Sequence, residues 1–285
     1  MHLLLLMSFL LAGCSNNSNI LIIQNKGSDT LVNLAQAWAE EYKNAKPNVA
    51  IAVSGGGSGT GLAALINGTV DIANSSRAMK DEEREEAKKN NGKEIKEFVV
   101  GMDALAVFIH PKNPMEGMSL EEVACIYGEG GACTYWHDVR GTVVPGCKDN
   151  KIIRVSRQSN SGTYQYFREA TLGKKRDLKL GSMDLNGSRE SIDLVENTPC
   201  AIGYSGMGYL NPRVKAVCIR KTAEADCIKP TLETATDKSY PISRELYMYT
   251  SGTPTTEVQA YMDWTQEDRA RAITIKAGYV PAPKR

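Results

Sequence analysis

Three times the chain runs from an apolar segment through a knot of small polar residues into an amphipathic helix. The knots are Gly27-Ser28-Asp29-Thr30, Ser54-Gly55-Gly56-Gly57-Ser58-Gly59-Thr60-Gly61 and Ser159-Asn160-Ser161-Gly162-Thr163. Strands that alternate with helices in this way fold as an α/β layer with mostly parallel strands. A ligand of such a sheet sits at the carboxyl ends of the strands, where all three knots fall. Each knot sets small hydroxyls and free backbone N–H groups at a helix N-terminus, a geometry that holds an anion without a metal. Three such cups suggest one oxyanion held from several sides. Two of them precede residue 103 and one follows it, as a cleft between two lobes requires.

The surrounding pattern places the elements. Residues 20–23 and 49–53 read as strands that lead into the first two knots, and 71–73 as a short strand. Residues 31–44 carry Leu31, Leu34, Ala35, Trp38 and Tyr42 at helical spacing. Helices are also expected over 62–66, 80–90, 164–172 and, as one long final segment, 256–276. Ser119 and Glu122 match a capping box that opens a helix over 119–126. The apolar run 98–110 holds a single carboxylate, Asp103. Residues 152–155, 201–204 and 214–219 read as further strands, and 125–147 as a Gly- and Cys-rich loop.

At 285 residues the chain is one large domain or two ordinary ones. A net charge of +1 gives no case for nucleic acid or for bulk electrostatic attraction to a membrane. The N-terminus is different. Residues 3–11 form an apolar run too short to span a bilayer but suited to a signal peptide. It ends in Leu11-Ala12-Gly13-Cys14, which resembles the lipobox of bacterial lipoproteins. That resemblance implies a signal peptide over 1–13, acylation of Cys14 and a polar tether over 14–19. The expected product is exported and lipid-anchored at the cell envelope, periplasmic or on the outer face of the cytoplasmic membrane. Met1-His2 departs from the pattern, for it carries no Lys or Arg.

Beyond Cys14 the sequence has Cys125, Cys133, Cys147, Cys200, Cys218 and Cys227. An even number in an exported chain favours disulfides. Cys218 and Cys227 flank a short polar segment and form the expected local pair; the pairing of the other four stays open. No C-x-x-C and no His at ligand spacing supports zinc, so neither a metal nor another cofactor is expected.

The motifs together resemble the phosphate-binding receptors of ABC importers, the PstS type of the type 2 periplasmic-binding-protein fold. The resemblance runs from Lys26 to Pro281. It rests on the three knots, Ala73-Asn74-Ser75-Ser76-Arg77, the Asp103 segment ending in His110-Pro111-Lys112-Asn113-Pro114, Arg157, Ala201-Ile202-Gly203-Tyr204, Tyr240-Pro241-Ile242-Ser243-Arg244 and Ala277-Gly278-Tyr279-Val280-Pro281. It implies two α/β lobes that close about a hinge onto inorganic phosphate, and a membrane permease of an ABC importer as partner. The lobes would be 20–102 plus 242–285, and 103–241, in a monomeric receptor. The implied ligand contacts are Ser28, Thr30, Ser58, Ser76, Arg157, Ser161, Gly162 and Thr163.

One position departs from the family. Some members have an aspartate, which accepts the proton of hydrogen phosphate, where this chain has Ser76. Asp29, in the first knot, is the candidate to take over that task; a plain helix cap is the competing reading. A buried carboxylate repels a dianion unless the anion brings a proton to share, which hydrogen phosphate can and sulfate cannot. Arg77 is expected to pair with an acid at the cleft, to reach the ligand, or to form a surface ion pair. Asp103 is expected to orient Arg157, to belong to the hinge, or to be a satisfied buried carboxylate. Tyr204 and Trp38 read as core.

Rival functions are weaker. A receptor for sulfate, molybdate or tungstate would use the same hydroxyls, but Arg157 with a carboxylate favours a protonated oxyanion. A sensor or adhesin of the same fold would lack a cognate permease. A hydrolase fails on motif: no G-x-x-x-x-G-K-[ST] occurs, and Thr60 stands where a G-x-S-x-G elbow around Ser58 needs its second Gly. The chain is therefore read as a receptor without catalytic residues.

Overall fold

Parallel strands with helical crossovers begin the structure, a computed structural model that describes residues 20–284. The expected signal peptide, Cys14 anchor and tether up to residue 19 lie outside the described residues. Strand β1 (Leu21–Gly27) passes through the first knot into α1 (Asp29–Ala45). Strand β2 (Val49–Ser54) passes through the second into α2 (Ser58–Ile66), and β3 (Ile72–Ser75) is followed by α3 (Asp81–Asn91). Both β2 and β3 lie parallel to β1, which is the outcome of the strand–knot–helix pattern. The apolar stripe of α1 is buried as its spacing requires, with Leu31, Leu34, Ala35, Trp38 and Tyr42 all inside.

The apolar run around Asp103 becomes one 15-residue strand, β4 (Ile95–Ile109). Then follow β5 (Gly117–Ser119), α4 (Leu120–Tyr127), β6 (Ile153–Arg157), α5 (Gly162–Leu172), β7 (Met183–Leu185), α6 (Ser188–Glu196) and β8 (Ala201–Gly206). The last elements are β9 (Lys215–Ala216), β10 (Cys218–Arg220), α7 (Leu232–Thr236), β11 (Ser243–Ser251), α8 (Thr256–Trp264), α9 (Asp268–Lys276) and β12 (Val280–Pro281). The capping box of α4 is formed, with the Ser119 hydroxyl accepting from the Glu122 N–H.

The main sheet runs β2-β1-β3-β11-β4-β8-β6-β7, and β4 is shared by its two halves. Residues 95–104 of β4 pair antiparallel with β11, whereas Leu105 to Ile109 pair antiparallel with β8. The change of partner falls between Ala104 and Leu105. Each half has its own core. One gathers Ile23, Leu31, Trp38, Leu246 and Tyr261; the other gathers Tyr127, Trp136, Phe167 and Tyr204. The result is a two-lobed α/β fold. Trp38 and Tyr204 are core residues, as read.

Two expected elements differ. The final helix is two helices, α8 and α9. Thr265 folds its hydroxyl back onto the Met262 carbonyl at 2.6 Å, and Glu267 takes an extended conformation as N-cap of α9. The strand over 214–219 is also two, because β9 pairs with β4 while β10 pairs with β5 in a separate sheet. Strand β11 and helix α6 have no counterpart in the sequence reading. Disulfides join Cys218 to Cys227, as expected, and also Cys125 to Cys133 and Cys147 to Cys200. Among the described residues no helix is long and apolar enough to cross a membrane, and no cluster of side chains could hold a metal ion.

Candidate functional site

The three knots meet. Ser28 is the N-cap of α1, Gly57 that of α2 and Ser161 that of α5, so three helix N-termini converge. Gly57 has φ +91°, and a Cβ there would lie 2.7 Å from the Asn160 carbonyl oxygen of the third knot; only glycine allows both. That carbonyl accepts the Gly59 N–H at 2.9 Å. The Thr30 and Thr163 hydroxyls lie 2.9 Å apart, and those of Ser58 and Ser76 lie 3.3 Å apart. Gly162 rests directly on Ser58. Ser28, Thr30, Ser58, Ser76, Arg157, Ser161 and Thr163 are all buried. Every residue expected to touch the anion is thus brought to one place. The Ser28 hydroxyl is buried there without a protein partner, although a buried polar group ordinarily has one.

Asp29 ties the knots together. Its Oδ1 accepts the Gly56 N–H of the second knot at 2.8 Å, and its Oδ2 accepts from Arg157 Nη2, just before the third, at 2.9 Å. The carboxylate therefore does not cap its own helix; that position belongs to Ser28. Arg157 also donates to the Leu185 and Asn186 carbonyls and to the Ser188 hydroxyl, which pins the segment joining β7 to α6. Burial pulls the Arg157 guanidinium below its ordinary value, and the neighbouring Asp29 carboxylate opposes that pull. The Tyr209 hydroxyl donates to the Asp29 carbonyl at 2.6 Å and the Tyr279 hydroxyl to the Thr30 carbonyl at 2.9 Å, steadying the first knot from outside.

Asp103 does not orient Arg157. The register of β11 on β4 sets Arg244 beside it, and its Oδ2 accepts from Arg244 Nε at 3.0 Å and Nη2 at 2.8 Å. Its Oδ1 accepts the Met207 N–H at 3.0 Å. Burial pushes the Asp103 carboxyl up, against the pull of Arg244 and of that N–H. Arg244 is the site residue that the sequence reading missed. It reaches Thr163 Oγ1 from Nη1 at 3.1 Å and Thr30 Oγ1 from Nη2 at 3.3 Å. The available signal was a buried acid in need of a cation: Asp103 sits alone in an apolar run, and Arg244 heads another apolar segment.

Arg77 stands apart from the cluster. Its guanidinium grips Glu83 of α3, with Nη2 to Oε1 at 2.6 Å and Nη1 to Oε2 at 2.8 Å. Burial alone would raise the Glu83 carboxyl; the Arg77 hydrogen bonds and the Lys80 N–H outweigh it, so the group is held below its ordinary value. A carboxylate lowered by folding contributes stability above its unfolded pKa, and that contribution is lost as pH falls through the folded one. Glu83→Gln is therefore expected to flatten the acid limb of stability between about pH 5 and pH 3. Urea midpoints measured across that range check it; an acid limb as steep as the parent's contradicts it.

A family model described as the PBP superfamily domain matches residues 15–269. The phosphate-binding protein PstS of Pseudomonas aeruginosa is 34% identical over 92% of this chain and 83% of its own length. This chain belongs to the PstS type of that superfamily. The PstS of Staphylococcus aureus is 28% identical over 96% of this chain and 82% of the relative. Among solved structures, a putative phosphate ABC transporter substrate-binding protein with bound phosphate, from Clostridium perfringens, superposes with a TM-score of 0.80 at 27% identity, covering 92% of this chain and all of that one. An ABC-type phosphate transport receptor from Vibrio cholerae superposes with a TM-score of 0.70 at 25% identity, covering 91% of this chain. In this PstS-type chain the two arginines of the cluster each have a carboxylate partner, Asp29 for Arg157 and Asp103 for Arg244. Two full charges of each sign thus balance around the convergent hydroxyls and N–H groups.

Proposed function

We propose that this chain is an extracytoplasmic receptor that captures inorganic phosphate between its lobes and delivers it to the membrane permease of an ABC importer. The observation that carries this reading is the meeting of three helix N-termini, with the Thr30 hydroxyl of α1 2.9 Å from the Thr163 hydroxyl of α5 and the Ser58 hydroxyl of α2 3.3 Å from that of Ser76. Ser28, Thr30, Ser58, Ser76, Arg157, Ser161, Gly162 and Thr163 form the phosphate site. Residues 20–102 with 242–285 form one lobe and residues 103–241 the other. The anion contacts both and so favours the closed state over the open one. The protein carries out no chemistry. Residues 1–13 are its signal peptide, Cys14 its lipid anchor and 14–19 its tether; it acts as a monomer.

Asp29 takes the proton of hydrogen phosphate. Its oxygens already accept from Arg157 and Gly56, and each retains a lone pair. Calorimetric titration of the anion-stripped protein with phosphate, sulfate and molybdate tests the function. Heat with phosphate and none with sulfate is the expected result; no heat with phosphate overturns the reading. Asp29→Asn is expected to weaken phosphate about 10- to 100-fold, the scale of a hydrogen bond to a charged group, and so to narrow the gap between phosphate and sulfate. Discrimination between the two anions that survives the substitution would remove Asp29 from this role.

A further inference from the structure

Arg244 lies where β11 runs beside β4 and touches residues from both sides of the cleft. Its side chain and that of Asp103 are about as buried as any in the protein, at 1% and 0% exposure. A guanidinium can only donate. Nε and Nη2 give to Asp103 Oδ2, and Nη1 gives to the Ser76 carbonyl at 3.2 Å. The remaining reach of the group is to Thr163 Oγ1 and Thr30 Oγ1, so both threonine oxygens receive a proton from Arg244. These two hydroxyls lie 2.9 Å apart, and one of them donates to the other.

A hydroxyl has one proton and two lone pairs. The threonine that accepts from its neighbour has both lone pairs filled, one by Arg244 and one by that neighbour. Its own proton can only be given onward. Without Arg244 the pair would hold three open lone pairs instead of one and could accept from a ligand as readily as donate to it. We propose that Arg244 is a positioning residue that fills acceptor sites of the Thr30–Thr163 pair, so that the threonine accepting from its neighbour is fixed as a donor and meets only an unprotonated oxygen of the anion. The anion is thereby turned: a bare oxygen faces that threonine and its P–OH faces Asp29. The inference rests on the phosphate-receptor reading above. Asp103 holds the guanidinium in place through two hydrogen bonds to one oxygen, which keeps its Nη edge directed at the threonines.

The test is a mutant cycle with phosphate as the probe, read by calorimetry. Asp103→Asn with Arg244→Gln removes the cation without leaving a buried carboxylate unpaired, and glutamine can accept as well as donate. This double variant is expected to lose phosphate affinity on the order of tenfold when both threonines are present. On a Thr30→Val/Thr163→Val background the same double change is expected to cost less than about twofold, because no hydroxyl remains to be set. Arg244→Lys, with Asp103 intact and a donor-only side chain, is expected to recover most of the affinity. Equal losses with and without the threonines would overturn the proposal and leave Arg244 a structural or direct contact, and so would a lysine variant as weak as the glutamine one. Absence of phosphate binding by the unaltered protein would instead overturn the receptor reading itself.

Discussion

Gly162→Ala is expected to weaken phosphate binding by about 10- to 100-fold while leaving the melting temperature of the anion-free protein near that of the parent. The added Cβ would sit 2.3 Å from Ser58 Oγ, 2.8 Å from Ser58 Cβ and 2.9 Å from Ser76 Oγ. None of these atoms can give way cheaply, since Ser58 opens α2 and Ser76 follows β3, and both are fully buried. Overpacking of this kind costs about 1–3 kcal/mol, and each 1.4 kcal/mol is a tenfold change in affinity. The clash lies between the two halves of the cleft. Opening the hinge relieves it, so the cost falls on the closed state and not on either lobe's fold. Calorimetry and a thermal melt together check this. A lowered melting temperature with unchanged affinity would place the strain inside a lobe instead.

Removing the Cys147–Cys200 disulfide is expected to be the most destabilising loss of a single cross-link. It closes a sequence separation of 53 residues, against 8 for Cys125–Cys133 and 9 for Cys218–Cys227. The chain-entropy estimate is roughly 4 kcal/mol for a loop of that size and roughly 2.5 kcal/mol for the shorter ones. The bridge also anchors the residue before β8, whose carbonyl accepts the Trp136 indole N–H at 2.9 Å and the Ile153 N–H at 3.1 Å. Cys147→Ala/Cys200→Ala should lower the melting temperature by roughly 10 °C, and Cys218→Ala/Cys227→Ala by clearly less. Scanning calorimetry distinguishes them; a reversed order would show that the long loop is held mainly by its packing.

What was legible in the sequence was local. Each knot is defined by a few consecutive residues, so Thr30, Ser58, Ser161 and Thr163 could be picked out before any fold was known. The α1 stripe from Leu31 to Tyr42 was legible for the same reason, because helical spacing repeats within one turn or two. What escaped was set by pairing at a distance. Arg244 meets Asp103 across a sequence separation of 141, and only the register of β11 on β4 brings them together. Arg157 lies nearer to Asp103 in sequence but was taken up by Asp29, Ser188 and the carbonyls of Leu185 and Asn186. Asp29 shows the same limit from the other side. Its position at the head of α1 suits a cap, yet its carboxylate turns outward to the other knots, which no local rule reveals. The break between α8 and α9 had only a weak local signal, Thr265, whose hydroxyl can bond back to the backbone; Glu267 is an ordinary helix former.

The sharing of β4 also bears on how the chain becomes folded at all. The lobe that opens the sequence is completed by its end: the Trp38 indole donates to the Ala270 carbonyl across a separation of 232 residues, and the Tyr279 hydroxyl reaches Thr30 across 249. A chain made only as far as residue 242 has every strand of the nested half, from the end of β4 through β10. Its first half still presents β3 with an unpaired edge and Trp38 without its cover. Contacts of such long range are the slowest to form, and an open strand edge is adhesive while it waits. Folding therefore runs against the order of synthesis: the part made first is sealed last, by the final strands to arrive.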